Sequence, residues 1–521
     1  MREERRATNG AAGPRRFGDI LVRRDRFIYT VELVPGRGSR GKRQDEILSL
    51  AQDVARGGLV DALSITDNPG GHPTLAPDVI GAEVCRMEID PIIHFTCKDK
   101  NRNQIESILY ALDRLGIRNV LAMTGDYPLY GFQGKAKPVY DVDSIQLLHL
   151  IGRMNRGLAI DDRAPGGGAP APPIHMVKGC AVSPFKQLEP ETMAQYFKLW
   201  KKVRAGADFV VTQVGFDARK FDELLRAPGI DVPVLGNVYV LTLPVARVMN
   251  RNGVPGCVVT DKLFRACEEE SRAADRGRSA SLERAARLVA LLRGIGYDGA
   301  HIGGPNLSYG DIEYIIGRSE ELRGEWQPLV PEFDYPQERG FYLYERDPST
   351  GLNSDVPRPV RARPRATARY MLMRAFHGVA FAEGAPLYRA FCSFFRLIAG
   401  TSAEEVVTVM EYWLKFITSR CRRCGDCTLA EVAFLCPQSQ CPKFLFNGQC
   451  GGSFEGWCEV FPGVRRCIFV RAYERLASHG EELSLKGAYI RPRDWSLDQT
   501  SSWANYFLGR DHRGQTCDRG P

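Results

Sequence analysis

Long hydrophobic runs are missing from this chain. Nowhere in its 521 residues does an apolar run reach the length of about 18 that a membrane-crossing helix needs. The basic N-terminus also lacks the apolar stretch that follows it in a secretory signal peptide. We therefore expect a cytoplasmic protein with no membrane partner.

The body of the chain carries little excess charge of either sign. The formal net charge is +8, and residues 1–26 hold eight Arg against four acids, so half of the excess lies in one short segment. Elsewhere no basic and aromatic surface of the kind that binds nucleic acid is indicated. We expect no nucleic-acid partner, and we assign residues 1–26 to a basic disordered tail.

Extremes of composition are absent as well. Apolar residues make up 44% and charged residues 25%, with 52 Gly and 32 Pro, which is typical of a globular protein and excludes a disordered or collagen-like chain. A single barrel uses about 250 residues. The length therefore predicts more than one domain.

Cysteine is scarce over most of the chain and dense in one stretch. Eight of the 15 Cys lie between Cys421 and Cys467, and no His lies among them. In a chain without an export signal, such a cluster indicates metal binding rather than disulfides.

Eight short runs rich in β-branched residues alternate with amphipathic stretches in the first 310 residues. The runs are Phe27–Val34, Ala62–Thr66, Ile92–Cys97, Val120–Thr124, His175–Val182, Phe209–Val214, Val232–Leu241 and Gly299–Ile302. Eight strands, each followed by a helix, predict an α/β fold, a (β/α)8 TIM barrel with its active site at the carboxyl ends of the strands. A doubly wound open sheet is the alternative.

The remaining boundaries follow from composition and periodicity. The barrel is assigned to 27–325, and a segment rich in Pro, Arg and acids predicts a linker over 326–366. Helical patterning resumes over 367–476, which predicts a mainly helical, cysteine-rich metal-binding domain. We assign 477–521 to an irregular C-terminal tail.

Polar residues near the ends of the predicted strands are the candidates for chemistry. Glu32 lies in an otherwise apolar strand, where burial would raise its pKa and make it a proton donor; a structural ion pair is the alternative. Asp126 ends the fourth run and could accept hydrogen bonds from a ring, or could cap a helix. His94 and Gln213 could contact a ligand or serve the fold, and Lys202 could reach a phosphate or lie on a solvated face.

The joint arrangement resembles a known family. FIYTVELVPGRG, ALSITDNPGG, IHFTCKD, VLAMTGDYP and AGADFVVTQVGFD occur in the order and spacing of the methylenetetrahydrofolate reductases, over about residues 27–310. That family is a flavin-containing TIM barrel, an oxidoreductase acting on CH-NH donors, which reduces 5,10-methylenetetrahydrofolate to 5-methyltetrahydrofolate.

The resemblance implies a role for each matched residue. Glu32 matches the acid that helps open the methylene bridge, Asp126 a catalytic carboxylate that also holds the pterin, and Gln213 a second folate contact. The residues that match flavin-binding positions are Thr66, His94, Thr124, Gly125 and Lys202. Departures such as Leu33-Val34-Pro35-Gly36 fall around the phosphate and adenine side of the flavin, so both FMN and FAD stay open.

The cysteine spacing indicates two four-ligand sites. The eight candidate metal ligands are Cys421, Cys424, Cys427, Cys436, Cys441, Cys450, Cys458 and Cys467. All-cysteine ligation suits iron-sulfur clusters and zinc. The Cys-x2-Cys-x2-Cys run and the prolines after Cys436 and Cys441 favour two 4Fe-4S clusters; one cluster with one zinc, or zinc alone, are the alternatives.

Residues 370–475 resemble the C-terminal domain of the same family, which is a separate small subunit in acetogen-type enzymes. This resemblance implies that electrons from a donor, an NADH oxidoreductase subunit or a ferredoxin, pass through the cysteine domain to the flavin. An iron-sulfur or folate-binding partner in a corrinoid methyl-transfer system is the alternative, and a zinc-ribbon binding protein is a second. A homo-oligomer stays open.

Overall fold

The computed structural model describes residues 16–129, 131–159, 170–227, 229–358 and 364–514. Eight parallel strands close into a barrel in sequential order, with β1 paired to β8 through Ile28–Gly299 and its neighbours. The predicted TIM barrel is therefore confirmed, and the open sheet is excluded. The strands are β1 Ile28–Leu33, β2 Ala62–Ile65, β3 Asp90–Thr96, β4 Asn119–Met123, β5 Val177–Val182, β6 Phe209–Thr212, β7 Val234–Tyr239 and β8 Gly299–Gly303.

Helices surround the barrel because their apolar residues recur every three or four positions and pack on the outer faces of the strands. The helices of this part of the chain are α1 Phe17–Arg23, α2 Lys42–Gly57, α3 Pro77–Arg86, α4 Arg102–Arg114, α5 Ser144–Met154, α6 Glu189–Arg204, α7 Ala218–Leu225, α8 Leu243–Asn250, α9 Asp261–Glu270, α10 Arg278–Ile295 and α11 Tyr309–Glu321.

The amino-terminal end of the barrel is closed by α1, within the segment assigned to a disordered tail. Phe17, Ile20 and Leu21 are buried against the first inward residues of the strands, such as Ile28 and Phe209. The tail assignment is wrong for residues 17–23, because three apolar side chains at helical spacing outweigh the surrounding arginines. Residues 1–15 lie outside the described part of the chain.

The segment 326–366, expected to be a linker, is folded onto the barrel where it is described. A 3-10 helix covers Gln327–Phe333, and β9 Tyr344–Arg346 pairs antiparallel with β10 Asn353–Pro357. Asn353 Nδ2 donates to Asp222 Oδ2 on α7 at 2.8 Å. The hairpin was missed because its strands are too short to give a periodic pattern. Residues 359–363 are outside the described part.

The second domain is helical and rich in cysteine, as predicted. Its helices are α12 Ala368–Ala380, α13 Tyr388–Ile398, α14 Ser402–Ser419, α15 Pro437–Gln440 and α16 Ile468–Ala477, with a two-stranded sheet of β11 Trp457–Cys458 and β12 Phe461–Arg466. No helix in the described part of the chain combines the length and apolar character that crossing a bilayer requires.

The segment assigned to an irregular C-terminal tail also packs on this domain. It contains 3-10 helices at Glu482–Lys486 and Trp495–Leu497 and a short helix, α17 Ser502–Phe507. Phe507 is buried, and its ring stacks on that of Phe395 with centroids 5.3 Å apart. The assignment is wrong here because one buried aromatic face is enough to order a six-residue helix whose periodicity is too short to detect.

Candidate functional site

The interior of the barrel changes from apolar to polar along its axis. Residues two apart on a strand share a face. On β1 the inward side therefore runs from Ile28, in the apolar layer above α1, through Thr30 to Glu32. On β3 it runs from Ile92 to His94. Polar side chains thus collect toward the carboxyl ends of the strands, where barrels carry their active sites.

Glu32 lies in a cluster with two histidines. Its Oε2 is 3.7 Å from His301 Nε2, and ligand atoms of Glu32, His94 and His301 all lie within 4.8 Å of one another. Each imidazole is held by a hydroxyl: Thr30 Oγ1 lies 2.8 Å from His301 Nδ1, and Ser64 Oγ lies 2.7 Å from His94 Nε2. Four neighbouring elements of one sheet therefore fix the cluster.

The protonation of Glu32 differs from the expectation. Burial acts to raise the pKa of Glu32, but its contact with His301 and the charge of that imidazole hold the pKa below the usual value. The predicted raised pKa is therefore wrong, because the sequence did not indicate a histidine on β8 opposite the carboxylate. Burial lowers the pKa of His94 to about 4, so this imidazole is neutral near neutral pH.

The loop after β4 carries Thr124, Gly125 and Asp126. Gly125 has φ +84°, and a Cβ there would lie 2.8 Å from Thr96 Cβ, so the position requires glycine. The Gly70 N–H donates to Asp126 Oδ2 at 2.7 Å, which ties this loop to the one after β2. Asp126 thus lies at the mouth of the barrel, partly exposed.

Three other predicted residues are positioned by backbone contacts. Thr66 follows β2, and its N–H donates to Leu33 O at 3.1 Å. Gln213 follows β6, and its Oε1 accepts from the N–H of the next residue at 2.9 Å. Lys202, on α6, is buried and donates to the carbonyl of Ala181 on β5; burial lowers its pKa to about 8.

The structure therefore brings together Glu32 and His94 from the predicted set and adds Thr30, Ser64 and His301. Sequence reasoning missed these three. One signal was available, since His301 falls on the predicted eighth strand in a chain with only eight His. The inward register of that short strand was not defined by the sequence, so the signal could not be used.

The eight cysteines form two groups in chain order. Cys421, Cys424, Cys427 and Cys436 line one cavity beside α14. Burial raises the pKa of Cys424 to about 12, and its three partner thiols act in the same direction. In the second group, burial raises the pKa of Cys467 to about 12, and Cys441 and Cys458 add to the effect. Burial also raises the pKa of Cys450, and Cys467 and Cys441 act in the same direction.

Donors surround the thiols of the first group. Lys415 Nζ lies 3.7 Å from Cys427 Sγ, and the Arg423 N–H donates to Cys421 Sγ at 3.4 Å. Four thiols with a neighbouring cation and a backbone N–H suit a thiolate-bound metal centre, because such donors stabilise negative charge on sulfur. The same donor set fits iron-sulfur and zinc.

The second group lies against the mouth of the barrel. The segment 447–452 (NGQCGG) includes Cys450, whose carbonyl accepts from Gln195 Nε2 on α6 at 3.0 Å. Lys186 Nζ, after β5, donates to the carbonyls of Gly451 and Ser453 at 2.5 and 2.6 Å. Gly256 shows how close the approach is, since a Cβ there would lie 2.7 Å from Gly451 O.

A buried ion pair joins the second cysteine group to the loop of Asp126. Lys443 pairs with Glu459, and its Nζ also donates to Gly125 O at 2.7 Å. Glu459 Oε2 in turn lies 3.5 Å from Cys450 Sγ. A short chain of polar contacts therefore runs from Cys450, through Glu459 and Lys443, to the loop that carries Gly125 and Asp126.

The fold and the site together define a class of protein. It is a TIM barrel with a carboxylate and two histidines at its mouth, and a cysteine-rich domain covers that mouth. A sequence model described as methylenetetrahydrofolate reductase matches residues 17–304, more than half of the chain, and one described as methylene-tetrahydrofolate reductase C terminal matches residues 401–496. The chain belongs to the methylenetetrahydrofolate reductase family.

Individual relatives are more distant. Methylenetetrahydrofolate reductase 1 of Schizosaccharomyces pombe is 24% identical over 41% of this chain and 33% of its own length. The 5,10-methylenetetrahydrofolate reductase of Pectobacterium carotovorum is 27% identical over 31% of this chain and 46% of its own length. The chain thus spans between a third and a half of these relatives. A solved Clostridium thermocellum protein, described as binding two copies of 5-methyl-5,6,7,8-tetrahydrofolic acid, is 12% identical with a TM-score of 0.39, covering 58% of this chain and 98% of its own.

Proposed function

We propose that this protein reduces 5,10-methylenetetrahydrofolate to 5-methyltetrahydrofolate with a bound flavin, and that electrons reach the flavin through the cysteine domain. The observation that carries the proposal is the cluster around Glu32 at the mouth of a barrel of this family. A carboxyl group at this place can take up a proton and pass it to the substrate as the methylene bridge opens.

The residues proposed to hold the flavin are Thr66, His94, Thr124, Gly125 and Lys202. A bound flavin would supply hydride from its N5 to the methylene carbon of the folate. Two buried polar atoms support the binding of a polar ring system here. Within the described part of the chain, Asn237 Oδ1 and Tyr140 Oη have no hydrogen-bond partner. Asn237 lies on β7, beside His301 in the sheet register. The ammonium of Lys202 would serve a phosphate if it left the carbonyl of Ala181.

Asp126 and Gln213 are proposed to hold the pterin. A carboxylate accepts hydrogen bonds from the ring N–H groups, and an amide can both donate and accept. Asp126 uses one oxygen for Gly70 and keeps its other oxygen for a ligand. The two residues follow β4 and β6, so they approach the barrel mouth from two sides.

The cysteine groups are proposed to hold two 4Fe-4S clusters, which would pass single electrons toward the barrel. The contacts of Cys450 with the barrel mouth make the second group the one next to the flavin. The cavity of the first group borders a larger one of about 410 Å³, lined by apolar residues of α12, α14 and α17. We assign entry of electrons from an external donor protein to this first group.

Anaerobic purification followed by analysis of flavin, iron, sulfide and zinc tests the proposal. The expected preparation contains flavin and iron with sulfide, and, once reduced with dithionite, converts methylenetetrahydrofolate to 5-methyltetrahydrofolate in a single turnover. Iron and sulfide without flavin would support a methyl-transfer partner instead. A colourless zinc protein would contradict both the relay and the reductase.

A further inference from the structure

The long helix α14 has a polar buried side and an apolar exposed side, the reverse of a helix that packs only within its own chain. Its three buried residues are Glu411, Lys415 and Ser419. Lys415 Nζ donates to Glu411 Oε1 at 2.7 Å and lies 3.7 Å from Cys427 Sγ, so this side faces the first cysteine group. The apolar side chains of α14 therefore point away from the domain to which the helix belongs.

The exposed apolar side chains of α14 form one continuous stripe. Successive residues of an α-helix are about 100° apart around its axis, so six of these side chains fall within about 120°. Val406 near one end is 70% exposed, and Ile417 near the other is 77% exposed. A stripe of this width is what a helix usually buries against another element. The six residues, which we call the α14 stripe, are Val406, Val409, Met410, Trp413, Phe416 and Ile417.

This part of the molecule exposes far more apolar surface than the barrel does. The described residues of 17–321 expose eight large apolar side chains, whereas 368–419 alone expose fourteen. Such a patch marks a site of association. Permanent homodimers have more apolar interfaces than transient complexes, and electron-transfer encounters are among the smallest and weakest. The α14 stripe therefore fits a permanent partner better than a diffusing electron carrier.

Charged residues at the two ends of α14 favour a second copy of this chain in one orientation. Glu405 is exposed in the first turn, and Arg420 and Arg422 are exposed directly after the last turn. When two copies of α14 pack antiparallel across a two-fold axis, Glu405 of each copy comes near the two arginines of the other. A parallel arrangement would place like charges together at both ends, which is unfavourable.

We propose that two copies of this protein associate through the α14 stripe, with the two helices antiparallel about a two-fold axis. Val406 of one copy then lies opposite Ile417 of the other, and Trp413 lies near the centre, where aromatic residues contribute most to binding. Leu414 and Thr418 lie on the neighbouring side of α14 and line the cavity of about 410 Å³. The association leaves that cavity open to an electron donor, and it does not depend on the proposed reaction.

Sedimentation velocity of the full-length chain over a wide range of concentrations tests the association, and we expect a dimer. Ile417→Glu places an unpaired charge at two symmetric points of the interface, so the dimer Kd should rise at least about 100-fold. Val464→Glu is the matched control, because Val464 on β12 is 76% exposed and lies outside the stripe. It should leave the Kd unchanged. Both sites are exposed in the single chain, so circular dichroism of both variants should match that of the wild type.

Two charge variants test the orientation. Glu405→Arg, and the double variant Arg420→Glu with Arg422→Glu, should each raise the Kd about tenfold, because like charges then meet across the interface. When the two variants are mixed, opposite charges meet at both ends, so the mixed dimer should form in preference to either homodimer.

A wild-type chain that stays monomeric, or a dimer that Ile417→Glu does not weaken, would overturn the proposal. Equal amounts of mixed and unmixed dimers would overturn the antiparallel pairing. A monomeric chain whose binding to a bacterial ferredoxin is lost in Ile417→Glu would assign the stripe to an electron carrier instead.

Discussion

The barrel and the cysteine domain hold their functional groups in different ways. In the barrel, Glu32, His94 and His301 stand on strands, and adjacent residues of the sheet fix each side chain. In the cysteine domain seven of the eight cysteines lie outside helices and strands, and six non-glycine residues between Arg420 and Glu455 have positive φ. These six are Arg420, Arg423, Ala433, Phe434, Phe444 and Glu455.

Each such residue costs about 1–3 kcal/mol and persists only where its surroundings enforce it. The barrel site is therefore built by the sheet itself, whereas the metal centres proposed for the eight thiols would stabilise the turns of the cysteine domain. Changes in the barrel should alter chemistry without altering metal content, and changes at a cysteine should do the reverse.

The largest effect is expected from Glu32→Gln. The amide has the shape of the carboxyl group but cannot take up and release a proton, so single-turnover oxidation of reduced flavin by methylenetetrahydrofolate should fall about 10²–10⁴-fold. Flavin, iron and sulfide should stay at wild-type content. Glu338→Gln, at a side chain that is 87% exposed, is the control. A rate within about threefold of wild type would remove Glu32 from the mechanism.

Cys424→Ser makes the opposite change. A four-thiol site that loses one ligand should no longer hold its cluster, so about half of the iron and sulfide should be lost while flavin stays. Flavin reduction by a low-potential donor should slow about 10–100-fold. Chemically reduced flavin should still react with folate at the wild-type rate, because that step lies within the barrel.

The control for this variant is Cys267→Ser, a buried thiol of the barrel on α9. It should leave iron and electron entry unchanged. Full iron in Cys424→Ser, or a wild-type protein with stoichiometric zinc and no sulfide, would refute the relay and make the cysteine domain structural.

The two regions should also respond oppositely to pH. Burial lowers the pKa of His94 to about 4, so the unfolded barrel binds more protons and barrel stability falls as the pH drops from about 6.5 to about 4. In the cysteine domain burial alone would lower the pKa of His512. Its contacts with Asp426 and Glu431 outweigh this effect and raise that pKa to about 9. That contribution is present below pH 6.5 and is lost as the pH rises through about 9.

Each effect should be about 3 kcal/mol. Hydrogen exchange, read separately for peptides of the barrel and of the cysteine domain at several pH values, measures them. His94→Gln should flatten only the acid limb, and His512→Gln only the alkaline limb. A single pH profile shared by both regions would mean that they unfold as one unit.

The same contrast explains what the sequence could predict. All eight strands were located to within a few residues, because β-branched runs and helical periodicity repeat regularly, and Glu32 could be selected as a carboxylate in an apolar strand. His301 was missed because its contact with Glu32 depends on closure of the barrel between β8 and β1, which no local pattern encodes. The contact of Lys443 with Gly125 joins residues more than 300 apart, and it depends on how the two domains pack.

The smallest effect is expected from Asp126→Asn, at the place where the two regions meet. The amide oxygen can still accept from the Gly70 N–H, so the loop should keep its shape, but the charge that we propose faces the pterin is gone. A hydrogen bond to a charged group contributes about 1.5–3 kcal/mol, so the Kd for 5-methyltetrahydrofolate, measured by calorimetry, should rise at least about tenfold. Flavin content should be unchanged and the flavin potential shifted, because the substitution removes a negative charge beside the proposed flavin site. Asp99→Asn, at an exposed carboxylate of the loop after β3, is the control. An unchanged Kd together with an unchanged potential would refute the assignment of Asp126 as the folate-binding carboxylate.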